Sequence, residues 1–184
     1  MSSMKSLAIF AFAMVLPTLL MPSSLAESKA RSDLGNEVAL LGETTQIPIT
    51  LSANDEQIVA TENEIIVPSV LSFVGAELGK AGEAVSAEIH TQLIPPSEES
   101  KDPKLIVKVR GADQKGLPSG VLVLLKFEVI GPIDEEQGFL DLTLENKAFV
   151  IGQDNEKVEI KGRPGTLIIM KEPPPVIACL FYMH

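Results

Sequence analysis

Few side chains in this sequence are suited to catalysis, and those few have no partner nearby in the chain. The two histidines are His90 and His184, and neither lies in a motif that couples it to a nucleophile, as general-base catalysis requires. Ser69 stands between Pro68 and Val70, not in the glycine-flanked turn of a nucleophile elbow, so we expect a turn residue. The sequence therefore offers no candidate catalytic residue, and we expect that the protein is not an enzyme.

Paired carboxylates could in principle act as the acid and base of a glycosidase. Glu62 with Glu64 is one such group, and Asp134, Glu135 and Glu136 form another. Acidic residues are common in this chain, and both groups lie in polar stretches. We therefore interpret them as solvated surface residues.

A calcium loop needs oxygen ligands at regular spacing. Asp154, Asn155 and Glu156 contain only a fragment of that pattern, and a hairpin turn in which asparagine adopts a left-handed conformation accounts for them better. We expect no metal site and no cofactor.

Direct binding to polysaccharide usually depends on exposed aromatic rings that match the apolar face of a sugar. The chain has no tryptophan, and its one tyrosine is Tyr182 near the C-terminus. Four phenylalanines lie in strand-like apolar patterns, for which we expect a role in the core: Phe73, Phe127, Phe139 and Phe149. A platform for crystalline cellulose is therefore disfavoured, while hydrogen-bonded recognition of soluble glycans stays open.

The N-terminal residues have the pattern of a bacterial-type signal peptide. Lys5 precedes an apolar run from Leu7 to Leu20, and small residues end the segment at Ser24 and Ala26. A membrane span needs about 20 apolar residues, and this run is shorter. We expect cleavage before Glu27 and a secreted, periplasmic or cell-surface protein with no integral membrane span.

Charge and length limit the remaining function classes. The formal net charge is −10, which disfavours binding to nucleic acid or to anionic membranes. The single cysteine is Cys179, so stability has to come from a hydrophobic core and not from disulfides. Removal of residues 1–26 leaves a length suited to one domain.

The apolar residues of this domain recur mainly with period two, which indicates β-strands. Ile47, Ile49 and Leu51 point one way, and Pro48 marks this segment as an edge strand or a bulge. Similar short runs are Ile65–Val67, Leu105–Val109, Val121–Ile130, Phe139–Leu144, Ala148–Ile151, Val158–Ile160 and Thr166–Met170. Turn-forming residues separate them, which is typical of a β-sandwich or barrel.

Two segments depart from this pattern. Gly75–Leu93 is the one segment that could be helical, although Gly79 and Gly82 weaken the prediction. Residues 94–104 read as an exposed loop. The predicted organisation is a signal peptide at 1–26, a flexible lead-in at 27–36, one β-sandwich domain at 37–171, and a spacer and tail at 172–184.

The C-terminal tail is different in kind. Pro173–Pro175 form a stiff polyproline spacer, and Val176–Met183 are apolar and costly to expose. The tail could fold back on the sandwich as a last strand, or it could be offered to an edge strand or groove of another molecule. The candidate attachment or partner contacts are Cys179, Leu180, Phe181 and Tyr182.

If the tail is offered to another molecule, Cys179 could also form a covalent link. A thiol held away from the domain could form an intermolecular disulfide, carry a lipid or form a thioether link. A metal or haem site made of Cys179, Met183 and His184 is a more remote alternative.

Four segments share their pattern with one family. Gly42–Leu51 runs from a turn into a strand, and Val67–Phe73 has a valine, proline, x, x, leucine, x, phenylalanine order. Ser119–Val129 is a small residue and glycine followed by a strand with phenylalanine and valine, and Gly165–Ile169 closes the pattern. The chain resembles the cohesin domain and its relatives in the carbohydrate-binding sandwich superfamily.

This resemblance implies an all-β jelly-roll β-sandwich of about nine strands. For true cohesins it also implies a protein partner, the dockerin, held on one sheet face, although a fold alone does not carry a partner with it. The predicted function is an exported, non-catalytic module that binds a dockerin-like or envelope protein. The alternatives are a carbohydrate-binding or polysaccharide-degradation accessory and a structural subunit that assembles through its tail.

Overall fold

The computed structural model describes residues 29–97, 100–132, 138–152 and 156–173. This part of the chain forms twelve strands, one short α-helix and one 3-10 turn. The helix α1 is Lys80–Ala84 and the 3-10 turn is Ala112–Gln114. The strands are β1 (Arg31–Leu34), β2 (Glu37–Leu40), β3 (Thr44–Ser52), β4 (Ile58–Ile66), β5 (Leu71–Leu78), β6 (Glu88–Ile94), β7 (Lys104–Arg110), β8 (Gly120–Val129), β9 (Phe139–Leu144), β10 (Asn146–Gly152), β11 (Lys157–Arg163) and β12 (Gly165–Met170).

The strands form a nine-stranded sheet in the order β5-β8-β3-β1-β11-β10-β4-β7-β6 and a three-stranded sheet in the order β2-β12-β9. The larger sheet is nearly closed, because its end strands β5 and β6 approach each other. The parallel pair β1–β11 joins a four-stranded layer, β5-β8-β3-β1, to a five-stranded layer, β11-β10-β4-β7-β6. The predicted all-β sandwich is confirmed.

The core lies between these layers and is built by alternation along each strand. In β3 the side chains of Ile47, Ile49 and Leu51 are buried while their neighbours are more exposed, as period-two geometry requires. On β8, the neighbouring strand of the same layer, Phe127 is fully buried and meets the ring of Phe73 edge-on at 5.6 Å. Each buried side chain of this size contributes about 1.5–3 kcal/mol through removal from water.

Pro48 does not mark an edge strand, because β3 pairs with β8 on one side and with β1 on the other. The proline is tolerated because β1 ends at Leu34, which is opposite Ile49. The carbonyl of Pro48 accepts a hydrogen bond from Gly35 N at 2.9 Å, and its missing N–H would lie on that same open side. A register shift follows between Ile49 and Thr50, which pair with Val123 and Val121, so the extra residue, Leu122, lies on β8 and not on the strand of Pro48 for which the bulge was predicted.

A buried polar cluster fixes the join between the layers. Asn63 on β4 is fully buried, and its Nδ2 donates to Ser32 Oγ at 2.8 Å and to Asn146 Oδ1 at 2.9 Å. Asn146 Nδ2 in turn donates to the carbonyl of Ser32 at 3.0 Å. Polar groups that are buried and paired in this way favour one register over others, because a shifted strand would leave them unpaired.

Strand β1 lies within residues 27–36, for which the sequence predicts a flexible lead-in. Its alternate residues Ser32 and Leu34 are buried, and its exposed side carries the ion pair of Arg31 with Asp33 at 3.0 Å. The strand was missed because its buried positions include a serine, which does not register as part of an apolar pattern.

The helix that the sequence allowed over Gly75–Leu93 is confined to Lys80–Ala84, and the flanks of that segment belong to β5 and β6. The close approach of this helical turn to β8 explains Gly79 and Gly82, because a Cβ at either position would collide with the β8 backbone. A Cβ at Gly79 would lie 2.5 Å from the carbonyl oxygen of Val121. In the part of the chain that the structure describes, no helix is long and apolar enough to cross a membrane.

Candidate functional site

One face of the sandwich carries an ordered row of charged and aromatic side chains. It is the outer face of the layer β11-β10-β4-β7-β6. The strand registers place Glu159, Phe149, Glu62, Lys108 and His90 side by side across all five strands. We call this surface the charged face.

Glu62 is the centre of the charged face. It is only 7% exposed, and Lys157 Nζ donates to its Oε1 at 2.9 Å while Lys108 Nζ lies 3.2 Å from its Oε2. Burial acts to raise the pKa of this carboxyl, but the hydrogen bonds and charges of Lys157 and Lys108 outweigh it, so the pKa of Glu62 lies below the ordinary value of 4.5. Glu62 is therefore ionised at neutral pH and unsuited to act as a general acid.

Phe149 lies beside Glu62 and is flanked by two ammonium groups. Lys157 Nζ is 4.0 Å and Lys147 Nζ is 5.1 Å from the centre of its ring, within the range of cation–π attraction. Lys147 also pairs with Glu159 at 3.5 Å. The half-buried ring is thus the apolar centre of a polar surface.

A shallow cavity of about 250 Å³ adjoins this cluster. Its wall includes Glu88, His90, Lys108 and Arg110, and Ile151 forms part of its apolar side. Acidic, basic and apolar groups therefore meet within one concavity.

The predicted carboxylate pair Glu62 and Glu64 lies on this same face, and each carboxylate is committed to a lysine. Glu64 accepts from Lys104 Nζ at 3.1 Å. Within the described residues no three histidine, cysteine or acidic side chains are grouped to hold a metal ion.

Other predicted residues fall elsewhere. Ser69 lies in the turn that Leu71 N closes by donating to Pro68 O at 2.9 Å, as expected of a turn residue. Glu156 is exposed at the β10–β11 hairpin, where its carbonyl accepts from Gly152 N at 3.3 Å. Outside the described residues are Asp134, Glu135, Glu136, Asp154, Asn155, Cys179, Leu180, Phe181, Tyr182, Met183 and His184.

The expectation that all four phenylalanines belong to the core is wrong for two of them. Phe127 and Phe73 pack together inside the sandwich. Phe149 points outward because its neighbours Ala148 and Val150 occupy the inward positions of β10. Phe139 is 52% exposed at the start of β9. The apolar pattern marked these strands, but only strand parity could show which side each ring takes.

A larger apolar groove, about 680 Å³, lies on the other layer between α1 and the start of β8. Ala81, Ala84, Val121 and Leu124 line it. It offers shape but few polar groups that could orient a ligand, so the charged face remains the better candidate site.

No family model and no curated protein sequence matches the chain, but solved structures do. A non-cellulosomal cohesin from the archaeon Archaeoglobus fulgidus is 19% identical, with a TM-score of 0.56 over 77% of this chain and 91% of that one. The solution structure of CaCohA2 from Clostridium acetobutylicum is 14% identical, with a TM-score of 0.56 over 80% and 95%.

A third similar structure is the cohesin–dockerin complex Coh-OlpA-Doc918 from Clostridium thermocellum. It is 15% identical, with a TM-score of 0.58 over 77% of this chain and 99% of that chain. These likenesses confirm the expected cohesin-like β-sandwich. They concern the fold.

Proposed function

We propose that this cohesin-like chain is an exported, non-catalytic module that binds a dockerin-like protein through its charged face. Similar folds are solved in complex with dockerins. The observation that carries the proposal is the row of ionised side chains around one half-buried ring, Phe149, on an open sheet face. Aromatic side chains such as this ring are enriched in the cores of protein interfaces, where a few anchor residues supply most of the binding energy.

The charge of this face selects the partner's chemistry. Although the whole chain has a formal net charge of −10, the charged face has a small basic excess, with the acids Glu62, Glu64, Glu88 and Glu159 set among the following basic groups: Lys104, Lys108, Arg110, Lys147 and Lys157. Its central acid, Glu62, is already paired with two of these lysines. A partner with acidic residues around an apolar side chain that covers Phe149 would complement it, and such complementarity mainly sets specificity and association rate.

The binding test is a panel of purified dockerin modules, measured by calorimetry against the wild-type protein and two charge-reversal variants. Lys157→Glu removes one of the two ammonium groups beside Glu62 and one of the two beside Phe149. Lys126→Glu is the matched control, since Lys126 pairs with Glu77 at 2.6 Å on the outer face of the other layer. We expect Lys157→Glu to weaken binding at least about tenfold, the size of a hot-spot loss, and Lys126→Glu to leave it unchanged.

Two outcomes would overturn the proposal. Equal losses in the two variants would move the interface away from the charged face. Absence of binding by every dockerin in the panel would remove this class of partner.

Export rests on the signal-peptide pattern of residues 1–26 and is tested separately. The protein recovered from outside the cytoplasm should have an intact mass that begins at Glu27. A mass that includes Met1–Ala26 would contradict cleavage.

A further inference from the structure

The three-stranded sheet has an outer face unlike the charged face. Strand registers place Val38 beside Ile168, and Leu40 and Phe139 on either side of Met170. Val38 is 59%, Phe139 52% and Ile168 38% exposed. These five side chains form one continuous patch, which we call the apolar face.

The apolar face is local. At the other end of the same outer surface Thr166 lies opposite Thr143, and Asp141 lies beside Ile168. The apolar residues are therefore concentrated toward the end of β12 at which the chain leaves the sheet. Contiguous exposed apolar side chains on a folded domain usually mark a surface that something covers.

The chain that leaves this point is itself apolar. Lys171 N donates to Gly138 O at 3.2 Å, which holds the exit at the edge of the apolar face. The sequence then passes through Pro173–Pro175 to Val176–Met183, a segment with no lysine, arginine, aspartate or glutamate. The tail would therefore bring no charge of its own to the contact, and the acidic side chain of Asp141 borders the patch beside Ile168.

The lengths also match. Three residues of polyproline helix rise about 9 Å, close to the spacing of about 10 Å between packed β-layers. An extended segment of eight residues spans about 26 Å, enough to cross the face along β12. A tether this short gives an effective local concentration in about the millimolar range, which favours the molecule's own tail over a second copy in dilute solution.

We propose that Val176–Met183 docks on the apolar face of the same molecule and covers Val38, Ile168 and Phe139. The C-terminal segment is then a built-in partner of the three-stranded sheet. This inference is independent of the proposed partner of the charged face.

The chain supplies its own probe, because Tyr182 is the only tyrosine and there is no tryptophan. Fluorescence anisotropy of Tyr182 reports whether the tail tumbles with the domain or moves freely on the nanosecond timescale. We expect high anisotropy in protein that carries its whole C-terminus, and a fall to about half in Ile168→Asp. Val74→Asp is the matched control, because Val74 is 57% exposed on β5 of the nine-stranded sheet. This variant should leave the anisotropy unchanged.

A tail variant guards against loss of fold. Phe181→Asp changes none of the twelve described strands and should lower the anisotropy as Ile168→Asp does, and the double variant should show no further fall. Low anisotropy in the wild type, or an unchanged value in both single variants, would overturn the proposal. Anisotropy that rises with protein concentration between about 1 and 100 μM would also overturn it and assign the tail to a second copy.

Discussion

The charged face and the apolar face are outer surfaces of the same sandwich, yet exposure to water is favourable for the first and unfavourable for the second. On the charged face the side chains of Lys108 and Lys157 are 57% and 43% exposed, and both are already paired with Glu62. On the apolar face Val38 and Phe139 are large apolar residues that are more than half exposed, at a cost of about 25 cal/mol for each Å² of apolar surface left in water. The first surface is stable when open and suits reversible binding, whereas the second gains stability from a permanent cover.

The largest expected effect comes from the two sides of β12. Ile169 is fully buried on the inner side, so Ile169→Ala should lower the free energy of unfolding by about 2–5 kcal/mol. Ile168→Ala, one residue away on the apolar face, should cost about 1 kcal/mol. Denaturant unfolding of both variants measures the difference, and equal losses would remove the distinction between inner and outer sides.

Glu62 provides the next effect. Because its folded pKa lies below 4.5, its pairing stabilises the protein above the unfolded pKa, and this contribution is lost as pH falls through the folded value. Glu62→Gln should therefore lower the free energy of unfolding by about 1–3 kcal/mol at pH 7, and the gap to wild type should close in acid. Glu159→Gln is the control, since Glu159 is 60% exposed. A gap that persists at low pH would contradict the assigned role of the charge.

Salt separates the two faces directly. Raising the ionic strength from about 0.05 to 0.5 M shortens the Debye length, so dockerin binding through the charged face should weaken several-fold. The Tyr182 anisotropy should not fall over the same range, because salts do not screen apolar contact. Parallel salt titrations measure dockerin binding and Tyr182 anisotropy. Equal salt dependence would mean that both contacts depend on charge to the same extent, which would contradict the distinction between the two faces.

The smallest effect is expected at the rim of the charged face. Lys147 is 55% exposed, and its partner Glu159 is 3.5 Å away. Exposed pairs contribute little, so Lys147→Ala should change the free energy of unfolding by about 0.5 kcal/mol or less. A larger loss in thermal or denaturant unfolding would show that its contact with Phe149 matters to the fold.

Much of the sandwich could be predicted from apolar alternation, because Ile47, Ile49 and Leu51 are buried as their spacing requires. Strand β4 was predicted only at its end, since the buried residues Thr61 and Asn63 interrupt its apolar pattern. Strand β6 was missed because most of its side chains are exposed.

The charged face was beyond sequence reasoning for a related reason. Glu62 and Glu64 were noticed, but their lysine partners come from other strands, 40 to 95 residues along the chain. Those side chains are brought together only by the registers of β4 with β7 and β10, and of β10 with β11. The outward position of Phe149 follows from the same register, so periodicity could locate the strand and not the site.

The two parallel pairs, β1 with β11 and β2 with β12, join the beginning of the domain to its end. Arg31 stands opposite Lys161, and Glu37 opposite Leu167. Contacts so distant in sequence form late and slowly, because the loop entropy of the whole chain must be overcome first. The sheets therefore close only after the last strands have been synthesised. A chain that folds only when complete stays extended and flexible until then, which is compatible with the proposed export.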